Sequence, residues 1–365
     1  MSKHVSMITY HKALSYGGCL QAYATYRLLE NLGVQVEVID FENKFEARKK
    51  TRSGLLKNGS LKEVAAGIVK DFLFKGSLYR EKAFRRFPES LRLTEKRYSS
   101  VGEMGDLSAD VFLVGSDQVW NPDITNGYEP AFFLQFGHAA KRISFSSSMG
   151  SHSPSPEEKE ALRRYLSSFS KISVREKFAA NIIEEVTDRK VEVTLDPSLM
   201  LSSEEWRRFS KPPVRFKGGP YILLFMVANS EQRYAGFLDK LSSRLGCRVV
   251  QVRLNSHLPK GVSEAIPATP QEFVWLLDHA SVVFTDSFHG IAFSINMETP
   301  FFYLPNLGNN VRLQELLERC GLQDRRIDNV DDVDDISRID FSLAREFISA
   351  KRPHDIEWLS KAIYE

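Results

Sequence analysis

The stretch SVVFTDSFHGIAFSI, residues Ser281–Ile295, has a polar turn between two apolar segments. The first segment predicts a short buried parallel strand, and the second predicts a helix starting near Gly290. Asp286, Ser287 and His289 thus lie where a strand ends and a helix begins. Open α/β sheets bind ligands there, and the N–H groups of a helix start attract anions. The histidine is either a proton donor to an anionic substrate or a packed residue beside a helix cap, and the motif favours neither.

The composition is that of an ordinary globular protein. The chain has 365 residues, of which 42% are hydrophobic and 26% are charged, and this length predicts two domains. The formal net charge is only +2, so it indicates no nucleic-acid partner. The three cysteines, Cys19, Cys247 and Cys320, are widely spaced and form no metal-binding pattern or disulfide framework. We therefore expect no metal and a reducing compartment.

The first residues, MSKHVSMITY, lack the apolar core of a signal peptide, and no apolar run reaches the ~18 residues of a membrane span. We expect a cytoplasmic protein whose membrane contact, if any, is peripheral and at the inner face of the cell membrane.

A Lys- and Arg-rich segment at about 44–98 predicts a helical insertion. Its basic residues form either a solvated surface or a contact surface for a phosphorylated or membrane-anchored acceptor.

Strands alternate with helices on both sides of a stretch at about 202–220, whose Pro and Gly residues are typical of a linker. This alternation predicts right-handed parallel β-α-β units. The predicted fold class is therefore α/β, with two Rossmann-like parallel-sheet domains facing across a cleft. The expected boundaries are 1–203 for the N-terminal domain and 204–365 for the C-terminal domain. The last helix is a candidate to pack back on the N-terminal domain.

Several predicted strands end in small polar residues. The turn after the first strand, SYGGCLQ, contains a glycine pair but not the GxGxxG fingerprint of dinucleotide-binding proteins. A strand at Asp110–Val114 runs into GSDQVWNP, and a later strand ends in SSSMG. Arg175 lies where the strand of ISVRE meets a helix, as either an ion-pair partner or an anion ligand. Each strand end is a candidate ligand-binding position.

Seven segments in order resemble the polysaccharide pyruvyl transferase family. Between about residues 5 and 326 they are SYGGCLQAYA, VGSDQVWNP, SFSSSMG, SVREKFAANII, TLDPSLML, TDSFHGIAFSI and NNVRLQELLERCGLQDR. The resemblance implies a fold similar to the two-domain glycosyltransferase architecture called GT-B. It also implies transfer of the pyruvyl group of phosphoenolpyruvate onto two sugar hydroxyls, which forms a cyclic ketal and releases phosphate. Members of the family serve capsule, exopolysaccharide and cell-wall glycan pathways.

The resemblance also implies the residues that hold the donor. The histidine of the family's D-x-x-H-G segment maps to His289, and the arginine of its S-x-R segment maps to Arg175. Some members have an arginine where this chain has Ser287. Arg312 is the candidate substitute, because a guanidinium suits a phosphate or a carboxylate. Gly290 completes the expected donor site, and no tightly bound cofactor is expected because phosphoenolpyruvate is itself a substrate.

We expect His289 to give a proton to C3 of the enol or to the departing phosphate, which would contribute ~10²–10⁴-fold. Asp117 and Asp286 are the candidate general bases toward the sugar, unless they only cap helices. The acceptor-side candidates follow strands of the N-terminal half: Tyr16, Gly17, Gly18, Ser116, Gln118, Asn121 and Ser147. The expected acceptor is a galactose-type unit of a surface-polysaccharide precursor, free or as a lipid-linked oligosaccharide.

Two other functions fit the same sequence. A GT-B glycosyltransferase would use a nucleotide sugar and bind a nucleoside diphosphate. A non-catalytic glycan- or anion-binding relative would bind without turnover, and Ser287 in place of an arginine keeps this alternative open. Phosphate release that depends on phosphoenolpyruvate would distinguish a pyruvyl transferase from both.

Overall fold

A computed structural model describes residues 2–42, 84, 86–214, 216–227, 231–252, 261–305, 311–327 and 339–365. These residues form two compact units. The first unit contains the described residues up to 42, those from 86 to Met200, and Ala350–Glu365. The second contains Phe84 and Leu201–Ser349. Each unit is built on one parallel sheet and has its own apolar core.

The sheet of the first unit has six strands in the order β2-β1-β3-β4-β5-β6, and all neighbours are parallel. They are β1 His4–Ile8, β2 Gln35–Val38, β3 Ser108–Val114, β4 His138–Ser147, β5 Lys171–Val174 and β6 Glu192–Val193. Central strands are apolar because helices cover both faces of a parallel sheet. Strand β2 lies on one side of β1 and β3 lies on the other. The strand order therefore reverses between the carboxyl ends of β1 and β3, which is a switch point.

Helices with local start signals connect these strands. They are α1 Tyr16–Asn31, α2 Pro122–Thr125, α3 Pro156–Leu166, α4 Lys177–Thr187 and α5 Pro197–Met200. The hydroxyl of Ser15 caps α1 by accepting a hydrogen bond from the N–H of Gly18. Ser155 and Glu158 form a capping box at α3. Local residues therefore specify where α1 and α3 begin.

The second unit has a five-stranded parallel sheet in the order β11-β10-β7-β8-β9. Its strands are β7 Tyr221–Phe225, β8 Arg248–Val252, β9 Glu264–Ile266, β10 Val282–Thr285 and β11 Phe301–Tyr303. Its helices are α6 Ser203–Phe209, α7 Glu231–Leu245, α8 Pro270–Asp278, α9 Phe288–Met297 and α10 Val311–Cys320. Strand β8 lies on one side of β7 and β10 lies on the other. The switch point of this sheet is therefore between the carboxyl ends of β7 and β10.

The last helix, α11 Ser342–Tyr364, contributes its second half to the first unit. The carboxylate of Asp355 is buried and accepts a hydrogen bond from the N–H of Leu195 at 2.7 Å. Arg352 donates to the carbonyl oxygen of Leu199 at 2.7 Å. These two bonds attach α11 to the chain that follows β6.

The strand predicted at Asp110–Val114 is the second part of β3, and the helix predicted to start near Gly290 is α9, which begins at Phe288. The linker predicted at 202–220 is wrong at its start, because this stretch begins with α6. Ser202 and Glu205 form a capping box there, and Trp206 is fully buried. A local cap and a buried indole determine the structure here, despite the Pro and Gly residues that follow.

Most of the basic insertion predicted at 44–98 lies outside the described residues. Its described end has a 3-10 turn at Phe87–Ser90 and two isolated parallel bridges, which pair Val38 with Leu93 and Phe41 with Tyr98. Residues 91–98 are therefore not helical. Among all described residues, no helix is both long enough and apolar enough to cross a membrane.

Candidate functional site

The amino end of α9 lies at the switch point of the second sheet. Ser287 is the N-cap, with extended backbone angles of φ −96° and ψ 132°, and its hydroxyl accepts from the N–H of Gly290 at 3.4 Å. His289 is the second residue of α9 and is half-buried, with its ring edge-on to Phe288 at 5.3 Å between centroids. The cap is thus Ser287 and not Asp286, and His289 lies in the first turn.

Asp286 joins the two strands at this switch point. Its side chain is 2% exposed, and its carboxylate accepts a hydrogen bond from the N–H of Val227 at 2.6 Å. The hydroxyl of the preceding Thr285 donates to the carbonyl oxygen of Phe225 at 2.5 Å. Both bonds run from the end of β10 to the end of β7. Asp286 therefore has a structural role, and its burial makes it a poorer candidate for a general base.

Gly290 lets α9 start close to the sheet. A Cβ atom at this residue would lie 2.5 Å from the hydroxyl oxygen of Thr285 and 3.1 Å from the ring of Phe225. Since real Cβ contacts are essentially never shorter than 3.0 Å, any larger residue would push the helix start away from β10. The glycine therefore sets the position of His289 relative to the strand.

Ser287→Ala is expected to lower the free energy of unfolding by ~1 kcal/mol, because the helix would lose the hydroxyl that caps it. Urea unfolding followed by circular dichroism measures this change. Ser281→Ala, at an exposed serine before β10, is the matched control and should change stability by less than ~0.5 kcal/mol. Equal losses in the two variants would contradict the capping role.

The predicted acceptor residues of the first turn lie at the switch point of the first sheet. A Cβ atom on Gly18 would lie 2.8 Å from the Cβ of Ala13 and 3.3 Å from a carboxylate oxygen of Asp117. Gly18 thus lets the start of α1 approach Asp117. Tyr16 is only 2% exposed and Gly17 is also buried, so the tyrosine ring offers little surface to a sugar.

Asp117 is the most accessible of the carboxylates around Arg175. Its backbone has a left-handed φ of 75°, and its carboxylate accepts from the N–H of Gln118 at 2.8 Å. The side chain is 17% exposed and lies 3.7 Å from the guanidinium of Arg175. A non-glycine residue at positive φ is uncommon, although aspartate tolerates it better than most. The conformation aims a partly exposed carboxylate at the carboxyl edge of the sheet.

Arg175 is a buried ion-pair partner, with a side chain that is 2% exposed. Its guanidinium lies 2.5 Å from Asp196, 3.2 Å from Glu176 and 3.7 Å from Asp117. Burial disfavours the charged form, but these three carboxylates raise the pKa of Arg175 above its usual range. One positive charge therefore already faces three negative charges. This favours a positioning role for Arg175 over direct contact with an anionic donor.

The other predicted acceptor residues bond within the protein. Ser116 and Ser147 are fully buried, and their hydroxyls donate to Asp196 at 3.3 Å and to the carbonyl oxygen of Gly115 at 3.0 Å. Asn121 caps α2 and donates to the side-chain oxygen of Gln118 at 2.8 Å. The sugar-binding role predicted for the two serines is not supported, because neither hydroxyl reaches the surface.

A further charged group at this edge was missed by the sequence reasoning. Asp40, just after β2, accepts from the ammonium of Lys12 at 2.5 Å and lies 3.5 Å from the buried ring of His11. Although burial opposes ionisation, hydrogen bonds from His11 and Lys12 lower the pKa of Asp40 to about 2. All three residues lie a few positions after the end of a strand, and that position was the available signal. Arg312 lies in the first turn of α10, and its side chain is outside the described part of the structure.

Comparison with known proteins identifies one matching family. A family model described as "Polysaccharide pyruvyl transferase" matches residues 16–309, which is most of the chain. A search of curated proteins found no match. The matched range includes both switch points and every predicted site residue except Arg312.

Solved structures show likeness of fold. A proposed UDP-N-acetylglucosamine 2-epimerase of Listeria monocytogenes is 13% identical, with 99% of this chain and 91% of that chain covered and a TM-score of 0.50. The UDP-GlcNAc 2-epimerase of Methanocaldococcus jannaschii is 13% identical over 96% and 93% of the two chains, with a TM-score of 0.48. The glycosyltransferase SnogD of Streptomyces nogalater is 11% identical over 100% and 96%, with a TM-score of 0.44. The Listeria likeness and the two all-parallel sheets confirm the predicted fold class, two parallel-sheet α/β domains of the GT-B type.

Proposed function

We propose that this chain, which belongs to the polysaccharide pyruvyl transferase family, transfers the pyruvyl group of phosphoenolpyruvate onto two hydroxyls of a sugar. The product would be a cyclic ketal, and inorganic phosphate would be released. The observation that carries the proposal is the position of His289, in the first turn of α9 at the switch point of the second sheet. Such switch points are where open α/β sheets bind ligands.

The start of α9 suits a donor that carries phosphate and carboxylate groups. The helix has ten residues, and the N–H groups and dipole at its amino end favour negative charge. No acidic residue lies in its first turn, so the helix itself does not offset this field. Ser287, His289 and Gly290 therefore form the proposed donor site, and Arg312 stays the further candidate.

The proposed reaction begins with protonation. His289 would give a proton to C3 of the enol, which makes C2 electrophilic. One sugar hydroxyl then bonds to C2 and loses its proton to a base. The bond from C2 to the phosphate oxygen breaks, and phosphate leaves with the electron pair. The second hydroxyl bonds to C2 and loses its proton, which closes the ketal ring.

Asp117 is the better candidate for the base. Its side chain is 17% exposed, whereas Asp286 is 2% exposed and is bonded to the N–H of Val227. Arg175, held by Asp196 and Glu176, would keep the carboxylate of Asp117 in place. We therefore assign Asp117 to the acceptor and leave Asp286 as a link between strands.

The proposed acceptor is a galactose-type unit of a surface-polysaccharide precursor, either free or lipid-linked. The close approach of Gly18 to Asp117 supports an acceptor site on the first unit. The enzyme would act in the cytoplasm, where phosphoenolpyruvate is made. A peripheral contact with the inner face of the membrane would bring it to a lipid-linked acceptor.

The test is incubation of the full chain with phosphoenolpyruvate and a panel of free and lipid-linked glycans, with phosphate release and product mass followed together. We expect phosphate release that requires a galactoside and matches the gain of one pyruvyl ketal. Turnover of a nucleotide sugar instead would identify a glycosyltransferase. Binding of glycans or phosphoenolpyruvate without turnover on any panel member would identify a non-catalytic relative.

A further inference from the structure

We propose that the first unit carries a second binding site, which takes an anionic saccharide. The site is a cavity of about 410 Å³. Basic and aromatic side chains dominate its lining, which includes Lys171, Ile172, Arg189, Lys190, Glu192 and Trp358. A volume of this size lies within the range of pockets that hold small ligands, ~300–1,000 Å³.

The cavity is remote from the carboxyl edge of the sheet. Lys171 is the first residue of β5, and Glu192 is the first residue of β6, so the cavity lies at the amino ends of these strands. Arg175 and its partner Asp117 follow the carboxyl ends of β5 and β3. Since four strand residues span ~13 Å, the two regions are separated by the length of β5. The cavity is therefore not part of the site proposed for pyruvyl transfer.

The cavity has an excess of positive charge. Lys171 and Lys190 are exposed, and among the residues that the structure describes neither ammonium forms an ion pair. Arg189 donates to the carbonyl oxygens of Leu166 at 3.3 Å and Ser170 at 3.0 Å, which fixes its guanidinium without neutralising it. Three cations and one carboxylate line the cavity, which gives it a net charge of +2. An anionic ligand would meet this charge.

The single carboxylate of the lining has a cationic neighbour of its own. Glu192 lies 3.3 Å from the ammonium of Lys351, which is also 2.8 Å from Asp355. Glu192, Asp355 and His354 have a spacing that suits a metal ion, but Lys351 provides the positive charge at this position. Part of the charge of Glu192 is therefore offset by Lys351, and the three cations of the lining remain in excess.

Trp358 distinguishes this cavity from a simple anion site. Its indole is half-buried and stacks on Phe145, with 6.4 Å between ring centroids and an interplanar angle of 20°. An aromatic ring held in this way offers a flat surface on which the apolar face of a sugar ring packs. The ammonium and guanidinium groups beside it form charge-assisted hydrogen bonds with a carboxylate or phosphate. A sugar unit that carries such a group matches both features.

Binding can be tested without any turnover, so the result does not depend on the proposed reaction. Trigalacturonic acid is titrated into the full chain at low salt, and the heat of binding is measured. We expect Lys171→Ala/Lys190→Ala and Trp358→Ala each to weaken binding by at least ~10-fold, through lost charge-assisted contacts and lost stacking. Lys211→Ala/Lys217→Ala, at two exposed lysines of the second unit, removes the same two charges and should leave the affinity within ~2-fold.

Two further ligands separate a saccharide site from an anion site. Neutral galactotriose should bind at least ~10-fold more weakly than trigalacturonic acid, and equimolar inorganic phosphate should not displace the acid. The two lysines are exposed, so the double variant reports on binding even if Trp358→Ala folds poorly. Absence of binding to the unmodified chain, unchanged affinity in the lysine variant, or displacement by equimolar phosphate would each overturn the proposal.

Discussion

His289→Ala is expected to lower ketal formation by ~10²–10⁴-fold at saturating phosphoenolpyruvate, because the reaction would lose its proposed general acid. The residue lies in the first turn of α9, directly after the Ser287 cap and before Gly290. Replacing the imidazole leaves the cap and the close helix start in place. The loss should therefore fall mainly on kcat, and a smaller rise in the KM for phosphoenolpyruvate would report the contact of His289 with the donor. Initial rates of phosphate release and product mass measure both quantities.

Two controls sharpen this result. His279→Ala removes an exposed histidine of the same unit whose ring stacks on Trp275, and it should leave the rate unchanged. Added imidazole should restore part of the rate of the His289 variant, because its protonated form can enter the space that the side chain left and donate the proton. A His289 variant that keeps nearly the unmodified rate at saturating donor would show that this residue is not the acid.

Arg175→Met is expected to lower the free energy of unfolding by ~3–5 kcal/mol, because it leaves buried carboxylates without their cation. The guanidinium is 2% exposed and contacts Asp196, Glu176 and Asp117. Methionine fills similar space but carries no charge, so the loss reports electrostatics rather than a cavity. Urea unfolding followed by circular dichroism measures the difference.

Arg207→Met is the matched control for this loss. Arg207 forms a bidentate pair with Asp278, but its side chain is 48% exposed, so its removal should cost at most ~1 kcal/mol. Similar losses in the two variants would contradict the buried network.

Arg175→Lys separates the two roles of Arg175. A lower kcat at unchanged KM for phosphoenolpyruvate is expected if Arg175 positions Asp117, and a raised KM would identify a donor ligand.

The sequence predicted the turn after β10 as a functional position, but not which residue does what there. Aspartate and serine side chains both accept a hydrogen bond from the first turn of a helix. The pattern therefore did not decide whether Asp286 or Ser287 is the N-cap. The backbone angles of Ser287 and the bond from Asp286 to Val227, 59 residues earlier, separate the two roles. A local sequence pattern cannot predict such a hydrogen-bond partner, because the pattern covers only a few neighbouring residues.

The partners of Arg175 are a stronger example of contacts that a local sequence pattern does not predict. The sequence left Arg175 as either an ion-pair partner or an anion ligand, and the structure pairs it with Glu176 and with Asp196 and Asp117 from the ends of other strands. The carboxyl ends of parallel strands come together at one edge, so charges far apart in sequence become neighbours. The Lys12 and Asp40 pair was missed for the same reason, since it joins the ends of β1 and β2.

The sequence by itself determined the alternation of strands and helices, the family resemblance and the turn that contains His289, because apolar periodicity and caps act over a few residues. Only the tertiary structure decided the strand orders β2-β1-β3-β4-β5-β6 and β11-β10-β7-β8-β9. These orders put His289 and Asp117 each at a switch point, and they buried the hydroxyls of Ser116 and Ser147. The physical reason is that strand neighbours are chosen by the packing of whole β-α-β units, over separations that no local pattern reaches.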